Sequence, residues 1–378
     1  MRNEIIDNLR GLCMLGVIGI HVGSSASGID SFWLYTLLEV LSRYSIPMFF
    51  FISGYGLYCT DKEMLALAQG NTATTPSSSK YFPFLLKRLK SSGIPYLSWS
   101  LFYEWYFWLP VTSLSWLVYN QPFLLGYGHA CYHLYFMVIL LVFYITHPLW
   151  RALLKLFLRT SLVGGMTVVF LLQLALFYWS SHPNVNPETL APWLKNLYLY
   201  RLNYIPLYYL FIYLLGALFA LYWDKVKAVL IIKFYAVLAF YVATLVYMEG
   251  SAYYSFTKEH YDLLSLAFTY HQLSLPGLLY TIGSTIGFCT LLLHWQNKTN
   301  IITKAIALFS KHSMLMYFVH PLFLDLLTKY CTNHGIVLTT KKILFLYPTL
   351  VIVSLAASIL ITYACNKCRP LKLVIMGK

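Results

Sequence analysis

The chain has 378 residues, of which 59% are hydrophobic and only 11% are charged, and its formal net charge is +14. Soluble domains have about 25% charged residues, so this chain could not cover a globular surface with polar groups. The composition excludes a disordered chain, a collagen, a coiled coil and a small disulfide scaffold. It fits a multi-pass membrane protein, with apolar residues for on the order of ten spans.

Long charge-free windows predict an all-α integral membrane protein, a bundle of about ten transmembrane helices. In chain order, the predicted spans lie near residues 9–28, 33–59, 93–111, 131–149, 162–180, 204–223, 228–248, 274–294, 305–328 and 343–364. No linker divides the chain, so we expect a single membrane-embedded domain over residues 1–378. The one long interruption, residues 61–92, is expected to be a flexible cytoplasmic loop.

The basic residues predict the orientation of the bundle, because Lys and Arg gather in cytoplasmic loops. With the amino terminus inside, seventeen of the 27 Lys and Arg fall in inner segments and six in outer loops. We therefore expect both termini in the cytoplasm and the protein in the cell (inner or plasma) membrane. No loop combines a basic stripe with stacking aromatics, so no nucleic-acid partner is expected.

Two ionisable residues of the first span, Arg10 and His21, share one helix face. Eleven residues correspond to about 1,100° of rotation and an axial separation of roughly 16 Å. Ionisable groups at membrane depth usually face the bundle interior and are candidate functional residues. The spacing is equally compatible with an Arg10 that reaches lipid phosphate and a His21 that makes one interhelical hydrogen bond. Gly16, Gly19 and Gly23 form a small-residue edge that permits close helix packing.

The second span contains Glu39 and Arg43, which are four residues apart in the favourable order for an ion pair. We interpret them first as a structural pair. Near its end, an aromatic run gives way to small and hydroxylated residues, including Ser53 and Gly54. This change predicts a close backbone approach or a local opening of the helix.

The predicted cytoplasmic loop contains a low-complexity stretch, Gln69 to Ser79, whose composition is typical of a flexible, solvated segment. An apolar and basic segment that includes Lys87 and Arg88 follows it. A segment of this composition is expected to lie along the inner membrane surface.

Three further polar residues lie in later spans. His133 is near the start of the fourth span, and Tyr317 and His320 share one face of the ninth at i, i+3 spacing. Each could equally be an interface residue with no catalytic role. Cys365 and Cys368, at the end of the last span, have the spacing of a CxxC motif but stand alone. A structural role is therefore favoured, and no metal is expected.

Five of these segments, in order along the chain, resemble the acyltransferase-3 family of multi-pass membrane acyltransferases. That family includes the O-acetylases of bacterial surface glycans. Its Arg-x10-His motif corresponds to Arg10 to His21, and its "R-x-x-x-P-x-F-F-F-I-S-G-Y" element corresponds to Arg43 to Tyr55. Its cytoplasmic "R…P" element corresponds to Lys87-Arg88 before Pro95, and its "H-L-W-F-L" element corresponds to His133 to Phe136. Its late "S-x-x-x-Y-x-x-H-P" motif corresponds to Ser313 to Pro321. Tyr135 stands where the family usually has Trp, and residues 150–300 carry no motif that we can match.

The resemblance implies an acyl-CoA co-substrate, with acetyl-CoA expected, and a carbohydrate acceptor, free or lipid-linked, beside the lipid bilayer. His21 and Arg10 are then the candidate catalytic residues, with His21 as the base for the acceptor hydroxyl. Arginine suits phosphate oxygens, so basic residues near the inner face are candidates for coenzyme A binding. These are Arg10, Lys87 and Arg88, and Arg43 of the second span is a further candidate for binding the co-substrate. The candidate supporting or acceptor residues are Asp7, Glu39, Ser53, Gly54, His133, Tyr317 and His320. Asp7 lies one turn before Arg10 and is the candidate to orient it.

We therefore predict a membrane O-acyltransferase that moves an acyl group from cytosolic acyl-CoA to a hydroxyl of a cell-surface glycan or its lipid-linked precursor. The alternative is a proton-coupled or solute transporter, in which His21, Glu39 and His320 would form a relay. Transporters often contain inverted repeats with broken spans in matching halves, and no such pairing is visible here. A non-catalytic scaffold or sensor with the same fold is a third interpretation.

Overall fold

The computed structural model describes residues 3–25, 30–70, 81–182, 185–296, 298 and 300–378. Within these ranges the chain is predominantly helical and contains no β-strand. Most of the low-complexity stretch predicted at 69–79 lies outside the described residues, as does the predicted end of the first span at residue 28.

The helices follow one another with short connections. In chain order they are α1 (Glu4–Ser25), α2 (32–58), α3 (Lys62–Ala68), α4 (81–108), α5 (Leu114–Gly126), α6 (Tyr135–Ile145), α7 (His147–Arg159), α8 (Leu162–Ser181), α9 (Pro192–Leu199), α10 (Pro206–Leu221), α11 (Trp223–Ile232), α12 (Phe234–Thr257), α13 (Leu263–Thr269), α14 (Leu275–Trp295), α15 (Ile301–Asn333), α16 (Thr340–Lys367) and α17 (Arg369–Met376). The segment expected to be a flexible loop, 61–92, therefore contains α3 and the first turns of α4.

Five helices of the described chain are long and apolar enough to cross a membrane: α1, α8, α12, α14 and α16. The number rises to seven if each of two bent pairs is one span, α6 with α7 (62° bend) and α10 with α11 (95° bend). The other predicted spans fall on α2, α4 and α15, which contain irregular turns or several charged residues. A membrane protein with five to seven candidate spans is thus shown.

The sixth and seventh predicted spans need a correction at their junction. We expected the seventh span to begin at residue 228, but α12 begins at Phe234. Residues 223–232 instead form α11, which carries Asp224, Lys225 and Lys227 and turns by 95° from α10. The charges prevent this segment from continuing an apolar span, and the chain uses it as a separate short helix.

Two helices contain π turns, in which a backbone N–H bonds to the carbonyl five residues earlier. In α2 the π turn Thr36–Val40 is followed by a 3₁₀ turn, Leu41–Tyr44. In α4 there are π turns at Leu89–Gly93 and Glu104–Trp108. Of the two outcomes predicted for the run that includes Ser53, the local opening is not found, because α2 is regular α-helix from Ser45 to Tyr58. The close backbone approach is found, since a Cβ atom at Gly216 of α10 would clash with the Phe51 carbonyl.

The chain divides into two compact units, and unit 1 comprises residues 1–59 and 215–361. Within it α1 packs along α15 and against α2, and α12 packs along α14. Asn3 precedes α1, and its side chain accepts a hydrogen bond from the Ile5 N–H at 3.1 Å. Asn300 and Thr303 form a capping box at the start of α15. These caps fix the ends of the two helices that carry most of the candidate site.

Unit 2 comprises residues 60–214 and 362–378. An ion-pair network ties α3 and its preceding turn to α7: Arg151 binds Asp61 and Glu63, and Lys155 binds Glu63, each at 2.6–2.7 Å. The carboxyl-terminal α17 packs on α4, where the Ser98 hydroxyl donates a hydrogen bond to the Val374 carbonyl at 2.6 Å. Arg151 and Lys155, which are used to predict the topology from the sequence, thus also form ion pairs that connect two helices.

Candidate active site

The Arg10 end of α1 is organised by a short ion pair. The Arg10 Nη1 donates to Asp7 Oδ1 at 2.9 Å, one turn earlier on the same helix. The Asp7 carbonyl in turn accepts a hydrogen bond from the Ser310 hydroxyl of α15. Asp7 therefore orients Arg10, as the sequence predicts. The Arg10 side chain is 38% exposed.

His21, near the other end of α1, stacks on His320 of α15. The ring centroids are 5.2 Å apart and the rings are inclined by 25°. His320 is fully buried, and its Nδ1 lies 3.1 Å from the Met316 carbonyl. A carbonyl can only accept, so Nδ1 carries the hydrogen and the neutral ring keeps its lone pair on Nε2. The structure thus brings together two histidines that lie 299 positions apart in the chain.

Arg43 of α2 connects three polar groups. Its Nη2 donates to Glu39 Oε2 at 2.6 Å, its Nε to the Glu39 carbonyl at 2.9 Å, and its Nη1 to Gln272 Oε1 at 3.3 Å. Glu39 is 1% exposed. The guanidinium also acts electrostatically on His21. The predicted ion pair is therefore present, and it holds the Arg43 charge within electrostatic range of His21.

Close packing of α1 on α2 places Glu39 beside the His21 turn. A Cβ atom at Gly23 would lie 2.7 Å from Glu39 Cγ, and one at Gly19 would lie 2.7 Å from Ser42 Oγ. Only glycine permits this approach of the two backbones. The predicted glycine edge is therefore the contact surface that brings α2 to the histidines.

Sequence reasoning missed His271 and Gln272, which lie between α13 and α14 in the region without a recognised motif. His271 Nδ1 accepts a hydrogen bond from the Leu273 N–H at 2.9 Å. Burial, followed by the charge of Arg43, lowers the pKa of His271 to about 4. Two adjacent polar residues within a long charge-free window were the only available signal.

A second missed residue is Glu249 of α12. Thr36, the first residue of the π turn in α2, donates its hydroxyl hydrogen to Glu249 Oε1. Glu249 Oε2 is buried and lacks a hydrogen-bond partner in the described part of the chain. A lone carboxylate in an otherwise apolar span is a signal that sequence inspection can use.

The remaining predicted residues of unit 1 show ordinary helical contacts. The Ser53 hydroxyl donates to the Phe49 carbonyl at 2.8 Å, and Gly54 is buried. Tyr317 lies beside His320, with ring centroids 6.3 Å apart. Because α1 is continuous from Glu4 to Ser25, Arg10 and His21 stay about 16 Å apart and do not touch.

Unit 2 contains the other predicted residues, Lys87, Arg88 and His133. Lys87 is exposed on α4. The Arg88 guanidinium carbon lies 5.5 Å and 5.4 Å from the ring centroids of Phe84 and Tyr144, an arrangement that cation–π attraction stabilises. Arg88 Nε is buried and has no hydrogen-bond partner among the described residues. His133 is 2% exposed and meets Tyr103 edge-on, with 5.5 Å between ring centroids.

A buried carboxyl on α4 was also missed. Glu104 is 3% exposed, and Gln121 Nε2 donates to its Oε2 at 2.5 Å. Ser100, one turn earlier, is fully buried as well. Glu104 begins a π turn, a feature found often at functional sites. An isolated carboxyl in an aromatic-rich segment is visible in the sequence, but its pairing with the Gln121 amide is not.

These features define a helical membrane protein with ionisable side chains buried between its helices. The chain belongs to the acyltransferase-3 family: the family model, described as an acyltransferase domain, matches residues 3–367. The resemblance based on five segments is thereby confirmed, and the match also runs through residues 150–300. The protein is therefore a membrane acyltransferase. No curated protein and no solved structure gave a significant match to the chain.

Proposed function

We propose that the protein transfers an acetyl group from cytosolic acetyl-CoA to a hydroxyl of a cell-surface glycan or its lipid-linked precursor. Membership of the acyltransferase-3 family supports the acyl transfer. The stacked pair of His21 and His320, beside the Glu39–Arg43 ion pair, is the observation that carries the assignment of the site. We place the protein in the inner or plasma membrane with ten spans and both termini in the cytoplasm.

The reaction needs a base for the acceptor hydroxyl, and His21 is our candidate. The hydroxyl oxygen attacks the thioester carbonyl carbon, and its proton passes to the imidazole. The carbon–sulfur bond then breaks, and the imidazolium returns the proton to the departing coenzyme A sulfur. His320 stacks on His21, so its role is to position the ring of the base.

The developing oxyanion needs a positive or hydrogen-bonding group. Arg43 supplies one, because Glu39 and Gln272 hold its guanidinium in place and its charge reaches His21. Preorganised donors of this kind are typically worth about 10²–10³ in rate. Glu39 supports the reaction by fixing Arg43.

Coenzyme A carries several phosphate charges and is made in the cytosol, so its head group should meet basic side chains on the inner face. In unit 1 we assign this role to Arg10, held by Asp7. In unit 2, the exposed Lys87 and its neighbour Arg88 are the candidates. Arginine's planar fork suits phosphate oxygens, and lysine contributes a point charge.

The test is an acyl-transfer assay with purified protein in lipid nanodiscs, labelled acetyl-CoA and a panel of lipid-linked sugars. We expect acceptor-dependent release of coenzyme A thiol by the wild type and none by His21→Ala. His334→Ala is the matched control, because His334 lies exposed at the end of α15. Full transfer by a correctly folded His21→Ala variant would overturn the assignment.

The transporter interpretation is not favoured, since the family is one of acyltransferases. Reconstitution of the purified protein into sealed proteoliposomes separates the two functions. A transporter would move solute or protons across proteoliposomes without consuming acetyl-CoA, whereas the proposed enzyme consumes acetyl-CoA only when an acceptor is present.

A further inference from the structure

A cleft of about 460 Å³ opens in unit 1 at the carboxyl-terminal end of α12. One face of α12, the turn after it, and the end of α13 form its walls. The side chains important here are Tyr247, Tyr254, Ser255, Glu259, Tyr261 and Tyr270. A volume of this size is within the usual range for small-molecule sites.

The floor of the cleft is a network of hydrogen bonds. Ser255, 3% exposed, donates its hydroxyl hydrogen to Glu259 Oε2 at 2.5 Å and lies 2.8 Å from the Tyr270 hydroxyl. Tyr270 donates to the Ser251 carbonyl at 2.9 Å. An ionised carboxylate accepts about four hydrogen bonds. Glu259 is exposed at the rim, so its carboxylate retains capacity to accept hydrogen bonds from a ligand.

The walls present aromatic faces. Tyr247, Tyr254 and Tyr261 are 45%, 58% and 38% exposed, respectively. Each ring offers a flat apolar face and a hydroxyl edge. A ligand that matches both the walls and the floor has apolar C–H faces and a rim of hydroxyl groups, which is the chemistry of a pyranose ring.

A lipid chain is the competing occupant, because tyrosines also form belts at membrane interfaces. An acyl chain would cover the Glu259 carboxylate and leave its remaining lone pairs without hydrogen bonds, and unmade bonds of this kind are costly. The polar floor therefore favours a polyhydroxylated ligand.

The cleft adjoins the candidate active site through the short segment 270–274. Tyr270 is part of the cleft floor, and the next two residues are His271 and Gln272. Gln272 accepts the hydrogen bond from Arg43. One short segment thus contacts both the cleft and the guanidinium that reaches His21.

We propose that this cleft binds a pyranose ring of the acyl acceptor, through the faces of Tyr254 and its neighbours and the carboxylate of Glu259. This assignment rests on the proposed function, and it names the place where the acceptor is held.

Saturation-transfer NMR tests the cleft without any acyl donor. The probes are methyl β-D-glucopyranoside, methyl β-D-galactopyranoside and N-acetylglucosamine, added to the whole protein in lipid nanodiscs. We expect saturation to reach ring protons of at least one probe. Loss of a stacking face in Tyr254→Ala, or of a charged acceptor in Glu259→Gln, should weaken binding about tenfold.

Tyr235→Ala is the matched control, since Tyr235 lies on the same helix, is 84% exposed and does not line the cleft. Equal melting temperatures show that each variant is folded. The proposal is overturned if no probe receives saturation, if Tyr254→Ala and Glu259→Gln bind like wild type, or if added phospholipid displaces the probes.

Two further measurements separate this proposal from the proposed function. His21→Ala should bind the probes like wild type, because the base does not line the cleft. In the transfer assay, Glu259→Gln should raise the acceptor KM with little change in kcat. Acyl transfer with an unchanged acceptor KM in Glu259→Gln would refute the cleft and leave the enzyme assignment intact. Probe binding without any acyl transfer would refute the enzyme assignment and leave the cleft intact.

Discussion

Replacing Gly23 with alanine is the sharpest test of the contact between α1 and α2. The added methyl group would lie 2.7 Å from Glu39 Cγ and 3.2 Å from Leu38 Cβ. Non-bonded carbon atoms rest about 3.5–4.0 Å apart, so Glu39 has to move by about 1 Å.

Glu39 has little freedom to absorb this movement. Its side chain is 1% exposed and its carboxylate is held by Arg43 at 2.6 Å. The displacement therefore reaches Arg43. Overpacking of this kind costs about 1–3 kcal/mol of stability, offset in part by about 1 kcal/mol from the better helix propensity of alanine. A 1 Å misplacement of a positioned group lowers activity by about 10²-fold.

The measurements are thermal unfolding in detergent and acetyl transfer, each made on Gly23→Ala and wild type. Gly56→Ala is the matched control, because Gly56 lies within the partner helix α2 and a Cβ atom there meets nothing within 4 Å. It should be as stable as wild type or more stable, and fully active. The reasoning would be refuted by a Gly23→Ala variant with wild-type activity and melting temperature, or by an equal loss in Gly56→Ala.

Three more outcomes follow from individual contacts. Hydrogen bonds from Lys155 and Arg151 lower the pKa of Glu63 to about 2, so wild type should exceed Glu63→Gln in stability by about 1.5–3 kcal/mol at neutral pH. That advantage is full above the ordinary carboxyl pKa of 4.5 and disappears as the pH falls toward 2, which unfolding curves across this range would show. Burial lowers the pKa of His271 to about 4 in the folded protein. The stability linked to this shift is full above the ordinary histidine pKa of 6.5, and it is lost as the pH falls toward 4. Wild type should therefore lose about 1–2 kcal/mol more than His271→Asn between pH 7 and pH 5, and parallel curves would contradict this. Finally, Arg10→Ala should raise the KM for acetyl-CoA about tenfold or more, since a charged hydrogen bond contributes about 1.5–3 kcal/mol, and an unchanged KM would exclude a phosphate contact.

Local pattern was enough to predict the parts of the site that lie within one helix. Hydrophobic length and scarce charge located α1 and most other long helices. Helical spacing predicted that Glu39 and Arg43 would pair, and the glycine edge predicted the close approach of α1 to a neighbour. The position of Asp7, one turn before Arg10, predicted their contact.

Contacts between distant segments could not be predicted, because they depend on how helices pack. Nothing in the local sequence indicates that Gln272 accepts a hydrogen bond from Arg43, 229 positions away. The same holds for Thr36 and Glu249, which are 213 positions apart. Charge placement predicted a cytoplasmic position for Arg151. It could not predict that the carboxylates of Asp61 and Glu63 would pair with this residue.

The π turn in α2 makes the number of residues in this helix a structural constraint of its own. The Leu41 N–H bonds to the Thr36 carbonyl, so the turn accommodates one residue more than an α-helical turn. Each residue advances an α-helix by about 100°, so the wide turn absorbs the rotation that its additional residue would otherwise impose on the aromatic face beyond Pro47. The count of residues between the cap at Ser31 and the start of regular helix at Ser45 sets the rotation of α2 against the rest of its unit.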